Sequence, residues 1–201
     1  MLVTAWLIRH GESAGNAGLP TQSPASTPLT ERGHEQATEL QLPRPSLIVV
    51  SRFIRTRQTA EPTINRYPDV PIEVWPVEEY TFLNSAKYVN TTQDERLPFA
   101  NAYIERNDPN YNDGGDAESF YDVLNRAAET LDRLKQNQGT AVFSHARFIQ
   151  ALRWVHEGRR GTPKEFFAWA AEQPVPNASV TTLFYRLVPR GWVLDDPAVR
   201  S

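Results

Sequence analysis

Two histidines and two arginines follow the ends of short apolar segments. The first segment runs into Arg9 and His10, a second is followed by a helical stretch that carries Arg55, and a later one ends just before His145. A further candidate strand is followed by a carboxylate, Glu79. Ligands of α/β proteins bind at the carboxyl ends of the strands. The spacing therefore predicts that these side chains converge at one edge of a sheet.

These residue types suit the transfer of a phosphoryl group. That group carries negative charge on its non-bridging oxygens, and its transfer needs an in-line nucleophile together with fixed cations. A neutral imidazole is nucleophilic through one nitrogen, and neighbouring arginines disfavour its protonated form. The planar fork of arginine binds two phosphate oxygens together. We therefore expect a site for a phosphorylated ligand.

The strands that would position these residues are short. Continuous apolar runs are typical of strands buried in a parallel sheet, and β-branched or aromatic runs favour further strands. The predicted strands are residues 2–8, 46–50, 72–77, 140–144, 180–187 and 192–194. The last of them closes a hairpin after residues 189–191.

Helical patterns lie between the strands. The predicted helices are residues 30–40, 52–65 and 116–136, one that follows residue 145, and one that begins at residue 162. Thr30, Asp116 and Thr162 are the expected N-caps, and Pro62 predicts a kink or break. Strands that alternate with helices indicate an α/β fold, a three-layer sandwich with a largely parallel sheet flanked by helices. The length of 201 residues fits a single domain over 1–201.

Two stretches interrupt this alternation. Residues 15–27 are rich in Pro, Ser, Thr and Gly and are expected to form a loop. Residues 80–115 are polar and aromatic with no clear strand, and a stretch of that length inside a compact domain is usually functional. We interpret 80–115 as an inserted cap with short helices that covers one end of the sheet and sets specificity.

Five motifs carry a resemblance to a known family. They are LIRHGESAGN (7–16), TPLTERGHEQA (27–37), SRFIRTRQTA (51–60), GGDAES (114–119) and VFSHA (142–146). Their order and spacing resemble those of the histidine phosphatase superfamily, which includes cofactor-dependent phosphoglycerate mutases and many broad phosphatases. An RHG triplet alone would be weak, but it stands here with the arginine-rich helix and the later SH motif, each after a predicted strand.

The resemblance implies a role for each candidate catalytic residue. His10 would be the nucleophile, and Arg9, Arg55 and His145 would form a clamp around the phosphate. Glu79 would protonate the leaving oxygen and then activate the water that hydrolyses the phosphohistidine. Read without the family, His10 and His145 could be structural histidines, and the arginines could be surface cations.

Three further residues are expected to bind substrate: Asn16, Ser13 and the backbone at Ala146. Two of the catalytic assignments have alternatives nearby in the chain. Arg52 lies three residues before Arg55 and could share its helix face, so it is the main rival as phosphate ligand. Similarly, the adjacent residue Glu78 is the alternative to Glu79 as proton donor.

The expected function is hydrolysis of a phosphomonoester through a phosphohistidine intermediate. A cofactor-dependent phosphomutase is the first alternative, but it would need extra cations, and the insertion offers only scattered Lys87, Arg96 and Arg106. A non-catalytic phosphate-binding or interaction module on the same fold is the second alternative. The sequence specifies neither the phosphomonoester nor an oligomeric state.

Composition excludes several other classes. The chain has no cysteine, which removes thiol nucleophiles and thiolate zinc sites. Its four histidines include no pair at helical zinc spacing with a carboxylate, so we expect no metal and no cofactor. A net charge of −3 argues against a nucleic-acid partner. No segment predicts a membrane span or a targeting signal, so the expected location is cytoplasmic and the expected partner is a small phosphorylated substrate.

Overall fold

A six-stranded sheet forms the centre of the protein, which we describe from a computed structural model over residues 2–186 and 192–194. In chain order the strands are β1 (Leu2–Arg9), β2 (Leu47–Val50), β3 (Ile72–Val74), β4 (Thr140–Ser144), β5 (Val180–Arg186) and β6 (Trp192–Leu194). They lie in the order β3-β2-β4-β1-β5-β6. Strands β1 to β4 are mutually parallel, and β5 and β6 add an antiparallel edge. The prediction of a largely parallel sheet is confirmed.

The register brings the carboxyl ends of three strands together. Arg9 at the end of β1 pairs with Ser144 at the end of β4, and Val50 at the end of β2 pairs with Phe143. The segments that leave β1, β2 and β4 therefore start at one edge, where the sequence placed its candidate site.

Helices cover both faces of the sheet. They are α1 (Glu31–Glu39), α2 (Ile54–Arg66), α3 (Gln93–Arg106), α4 (Phe120–Gln136), α5 (Ala146–His156) and α6 (Pro163–Glu172). Alternate strand residues point to opposite faces: Leu7 and Val142 pack in the core under α4, α5 and α6, whereas Ile48 and Phe143 pack in the core on the α2 side. This is the predicted three-layer α/β sandwich.

Local capping explains several helix ends and corrects one prediction. Thr30 and Thr162 cap α1 and α6 as expected. The N-cap of α4, however, is Ser119 and not Asp116, because the Ser119 hydroxyl and the Asp122 carboxylate form a reciprocal capping box. The predicted kink or break at Pro62 also does not divide the helix, since Pro62 lies inside a continuous α2.

The strand predicted over 72–77 ends earlier, at Val74. Pro76 follows two residues later and has no N–H with which to continue a parallel ladder. The side chains of β3 are exposed, as befits an edge strand. Within the predicted hairpin, β5 and β6 do pair antiparallel, whereas residues 187–191 lie outside the described residues.

The segment 80–115 contains a short 3-10 helix, Ser85–Tyr88, and the longer α3. Thr92 starts α3 with a capping box to Glu95. Thr21 pairs with Thr91 across an isolated bridge, which ties the loop of residues 15–27 to this segment. Among the helices of the described residues, none has the length and apolar character needed to cross a membrane.

Candidate active site

A cavity of about 650 Å³ opens at the carboxyl edge of the sheet. The predicted site residues that line it are Arg9, His10, Ser13, Asn16, Arg55, Glu79 and Ala146. The segment 80–115 supplies part of the wall, including Phe82, Tyr88 and Arg96. His145 is the exception: its side chain is fully buried and lies behind Arg55 and His10.

Hydrogen bonds fix the tautomer of His10. Its Nδ1–H donates to the carbonyl oxygen of Gly11 at 2.6 Å, and its Nε2 accepts a hydrogen bond from Nε of Arg55 at 3.1 Å. The ring is therefore neutral, with the lone pair of Nε2 directed at the arginine. The hydrogen bond made by one imidazole nitrogen thus fixes which nitrogen carries the proton and which carries the free lone pair.

Arg55 lies between the two histidines. Besides Nε to His10, its Nη2 donates to Nδ1 of His145 at 3.0 Å, and its Nη1 donates to the carbonyl of Pro24 at 2.5 Å. The first turn of α2 carries this side chain, which is 7 % exposed. One guanidinium thus joins β1, β4 and the loop of residues 15–27.

Ser51 sets the tautomer of His145. Because Nδ1 of His145 accepts from Arg55, Nε2 carries the proton and donates to the Ser51 hydroxyl at 2.9 Å. The two imidazole rings lie with centroids 5.1 Å apart in an edge-to-face arrangement. His145 is therefore held in place from both of its nitrogens.

Burial and positive charge keep both imidazoles neutral. Burial, followed by the charge of Arg55, lowers the pKa of His10 well below its usual value of 6.5, and the same two causes lower the pKa of His145. Burial also lowers the pKa of Arg55 to about 10, which leaves the guanidinium charged at neutral pH. The site thus combines two neutral imidazoles with a fixed cation.

Arg9 reaches the cavity from the end of β1. Its Nη1 donates to the carbonyl of Val175 at 2.6 Å, and its buried Nε finds no hydrogen-bond partner within the described residues. Burial lowers the pKa of Arg9, and the carboxylate of Glu79 acts in the opposite direction. The side chain therefore holds spare donors close to Glu79.

The structure separates the two adjacent glutamates. Glu79 lines the cavity, and its Oε1 accepts the backbone N–H of Phe148 at 3.1 Å in the first turn of α5. Glu78 is buried outside the cavity and bonds to Nε of Arg52 at 2.7 Å. The Arg52 side chain is 76 % exposed. The geometry thus places Glu79 and Arg55 at the site and their rivals away from it.

The loop after His10 is held by backbone contacts. A Cβ on Gly11 would lie 2.4 Å from the carbonyl oxygen of Gly33, and one on Gly33 would lie 2.0 Å from the carbonyl oxygen of Glu12. The Gly11 N–H donates to the hydroxyl of Thr59 at 3.0 Å. Both motif glycines are therefore needed for close approach between this loop and α1.

Ser13 and Asn16 complete that loop. Oδ1 of Asn16 accepts from the N–H and the hydroxyl of Ser13, and also from Nδ2 of Asn177 at 3.1 Å. Asn177 in addition donates to the carbonyl of His10 at 3.1 Å. Ala146 begins α5, whose N-cap residue His145 makes no side-chain capping bond.

Sequence reasoning missed Arg147, Gln150 and Asn177. Arg147 and Gln150 line the cavity from the first turns of α5. A signal for Arg147 was present, since it lies two residues after His145 at the start of a helix that follows a strand end. Asn177 had no local signal, because it reaches His10 from 167 residues away in the chain.

No group of three or more side chains that could ligate a metal occurs among residues 2–186 and 192–194. The polar groups of the cavity are instead guanidinium, hydroxyl and amide groups, with the imidazole of His10 and one carboxylate, that of Glu79. That set of groups suits a bound oxyanion.

Comparison with known proteins gives a consistent assignment. A family model described as the histidine phosphatase superfamily (branch 1) matches residues 5–195. A protein of Shigella boydii named probable phosphoglycerate mutase is 25 % identical over 207 residues, covering 96 % of this chain and 92 % of its own. Its counterpart of the same name in Citrobacter koseri is 26 % identical over 208 residues, with the same coverage.

Solved structures share the fold. A mycobacterial glucosyl-3-phosphoglycerate phosphatase superposes with a TM-score of 0.71 at 24 % identity, over 97 % of this chain and 98 % of its own. A phosphoserine phosphatase of Entamoeba histolytica, solved with 3-phosphoglyceric acid, superposes with a TM-score of 0.72 at 20 % identity, over 96 % and 95 %. These likenesses extend along nearly the whole chain.

Proposed function

The chain belongs to the histidine phosphatase superfamily, and from this premise we propose that it hydrolyses a small phosphomonoester through a phosphohistidine formed on His10. One observation carries the proposal: Nε2 of His10 presents its lone pair to Arg55 inside the cavity, while Nδ1 is tied to Gly11. A neutral nucleophile and the cation that would bind the phosphoryl oxygens are thus already in contact.

In the first step the substrate phosphate takes over donors that bond within the protein in this structure. The Nε and Nη2 groups of Arg55 leave the two imidazoles and bind phosphoryl oxygens, and Arg9 binds another. Nε2 of His10 then forms a bond to phosphorus as the bond to the ester oxygen breaks. Glu79 gives its proton to that oxygen, so the product leaves as a neutral alcohol.

The second step reverses the proton transfer. The Glu79 carboxylate takes a proton from a water molecule, whose oxygen bonds to phosphorus as the bond to Nε2 of His10 breaks. Inorganic phosphate leaves, and His10 returns to its neutral state with Glu79 protonated. His145 contributes to the expected phosphate clamp by positioning, because its Nδ1 accepts from Arg55 and its ring lies edge-to-face with that of His10.

The segment 80–115 is proposed to be a cap within a single domain over 1–201. A mutase would need extra cations, and this segment contains three candidates. Arg96 lines the cavity, whereas Lys87 pairs with Asp113 and Arg106 stacks on Tyr111. This arrangement favours hydrolysis over the mutase alternative. A cytoplasmic location, independence of cofactors and the absence of a nucleic-acid partner stay predictions of the sequence.

The test is phosphate release from a panel of sugar phosphates, nucleotides, phosphoglycerates and phosphopeptides. We expect His10→Ala to abolish release, and a matched His34→Ala variant to keep it, since His34 is exposed on α1. Wild type quenched during turnover should carry a phosphoryl label that acid removes and base preserves. Turnover by His10→Ala would refute the mechanism. Isomerisation faster than hydrolysis would favour a mutase, and tight vanadate binding without turnover would favour a binding module.

A further inference from the structure

The cavity has a surplus of positive charge. Its described lining includes four arginines, Arg9, Arg55, Arg96 and Arg147, and one carboxylate, Glu79. The chain as a whole has a net charge of −3, so the surplus is local to this cavity. Clefts lined by one sign of charge concentrate ligands of the opposite sign. Two of the arginines, Arg96 and Arg147, are not needed by the proposed chemistry.

Arg96 is already engaged in holding the cap. Its Nη1 donates to the Thr91 carbonyl at 2.6 Å and to the Thr91 hydroxyl at 2.9 Å, and its guanidinium lies 4.5 Å from the centroid of the Tyr88 ring. These contacts join α3 to the segment before it. They account for Arg96 as a structural residue.

Arg147 has a different environment. It makes no ion pair with any carboxylate among the described residues. Its Nη1 donates to Oε1 of Gln150 at 2.9 Å, and its guanidinium lies 5.4 Å from the centroid of the Phe167 ring. Glu79, the carboxylate of the cavity, instead accepts the N–H groups of Tyr80 and Phe148. Arg147 therefore keeps most of its donors for a ligand.

Gln150 makes this arrangement rigid. Its Nε2 donates to the carbonyls of Ala170 at 2.8 Å and Gln173 at 2.7 Å, and the residue is 2 % exposed. With both amide hydrogens committed to the end of α6, Oε1 can point in one direction, at Arg147. A charged group held by a buried amide is preorganised for its partner.

We infer that Arg147 is a specificity-determining residue that binds a carboxylate carried by the phosphomonoester substrate. A carboxylate matches the planar fork of a single arginine in bidentate geometry. Phe167 packs against Arg147, Val175 lies at Arg9, and both line the cavity, so they suit an apolar linker between the two anionic groups. The inference rests on the proposed function, because it assigns the non-reacting end of the same substrate.

The experiment compares linear ω-phosphooxy carboxylates of increasing length, each paired with the diol monophosphate of the same length. The two members of a pair differ in a carboxylate against a hydroxymethyl group. At the best length we expect wild type to favour the carboxylate in kcat/KM by about 10- to 100-fold, the range for hydrogen bonds to charged groups. Arg147→Gln should raise KM for the carboxylate by a similar factor and leave kcat nearly unchanged.

The controls separate specificity from folding and from catalysis. Arg147→Gln should hydrolyse the diol monophosphates with a kcat/KM within about threefold of wild type. That difference is well below tenfold, which corresponds to about 1.4 kcal/mol. Arg147→Lys keeps the charge without the fork and should fall between the two, while Arg57→Gln, which removes an exposed cation of α2, should match wild type on every compound. Thermal melting verifies that each variant is folded.

Two outcomes would overturn the inference: equal kcat/KM for both members of every pair in wild type, or equal losses on both in Arg147→Gln. Should wild type release phosphate from no compound, the proposed hydrolysis fails separately. In that case calorimetric Kd values for the same pairs still decide the inference, since a carboxylate preference that depends on Arg147 supports it and equal Kd values refute it.

Discussion

Arg55→Lys isolates the geometric contribution of one guanidinium. Three different nitrogens of Arg55 contact His10, His145 and the Pro24 carbonyl at 3.1, 3.0 and 2.5 Å. A lysine ammonium keeps the charge but has a single nitrogen, so it can replace one of these contacts at best. In the proposed reaction, the donors that face the two imidazoles turn to the phosphoryl oxygens.

The expected loss follows from that count. Each hydrogen bond from a charged donor is worth about 1.5–3 kcal/mol. Of the two Arg55 donors that turn to the phosphoryl oxygens, a lysine can replace one at most, so one or both of these bonds are lost. The loss of transition-state stabilisation is then about 1.5–6 kcal/mol, which lowers kcat/KM by about 10- to 10⁴-fold. We expect the loss in kcat as well as in KM, because the donors follow the phosphoryl group through transfer.

The assay is steady-state phosphate release with the best substrate of the panel, together with thermal melting. Arg52→Lys is the matched control, since Arg52 lies one turn away and its exposed side chain pairs with Glu78 outside the cavity. It should stay within about twofold of wild type, because lysine keeps a positive charge beside Glu78 and the pair lies outside the cavity. A folded Arg55→Lys enzyme with kcat/KM within about threefold of wild type would refute the reasoning. Even about 1.36 kcal/mol of lost stabilisation corresponds to a tenfold decrease.

Three further changes test other parts of the site. Since burial and Arg55 lower the pKa of His10, NMR should show a neutral ring down to and below pH 6.5. The free energy of unfolding should be constant above pH 6.5 and should decrease at lower pH, because the unfolded state then takes up protons. An imidazole that titrates at its ordinary value contradicts this. Ser51→Ala leaves the buried Nε2–H of His145 without its acceptor, so denaturant unfolding should show a loss of about 1–3 kcal/mol and kcat/KM should fall, whereas an unchanged enzyme would exclude the positioning role. Gly33→Ala places a Cβ 2.0 Å from a backbone oxygen and should lower the free energy of unfolding by about 1–3 kcal/mol or more. Glu35→Ala, at an exposed position of α1, is the control and should be nearly neutral. Equal stability of the two variants would show that the loop moves to accommodate the methyl group.

Local sequence signals sufficed for most of the framework. Apolar runs located the strands, and Thr30 and Thr162 located two helix starts, because these features depend on residues close together in the chain. The same local reasoning failed at Asp116, where two capping candidates competed and the reciprocal bonds of Ser119 prevailed. The predicted strand before Pro76 was also too long. Its true length depends on the edge position of β3 in the sheet, which local sequence does not show.

What the sequence alone determined is the set of groups that the first, second and fourth strands carry to one edge, with His10 and His145 among them. It could not separate Glu79 from Glu78 or Arg55 from Arg52, because like residues one or three positions apart differ only in the direction in which the folded backbone points them. Tertiary structure made those choices, and it also held Gln150 against the end of α6 so that Arg147 faces the cavity. Such contacts join residues far apart in the chain, so no local pattern encodes them.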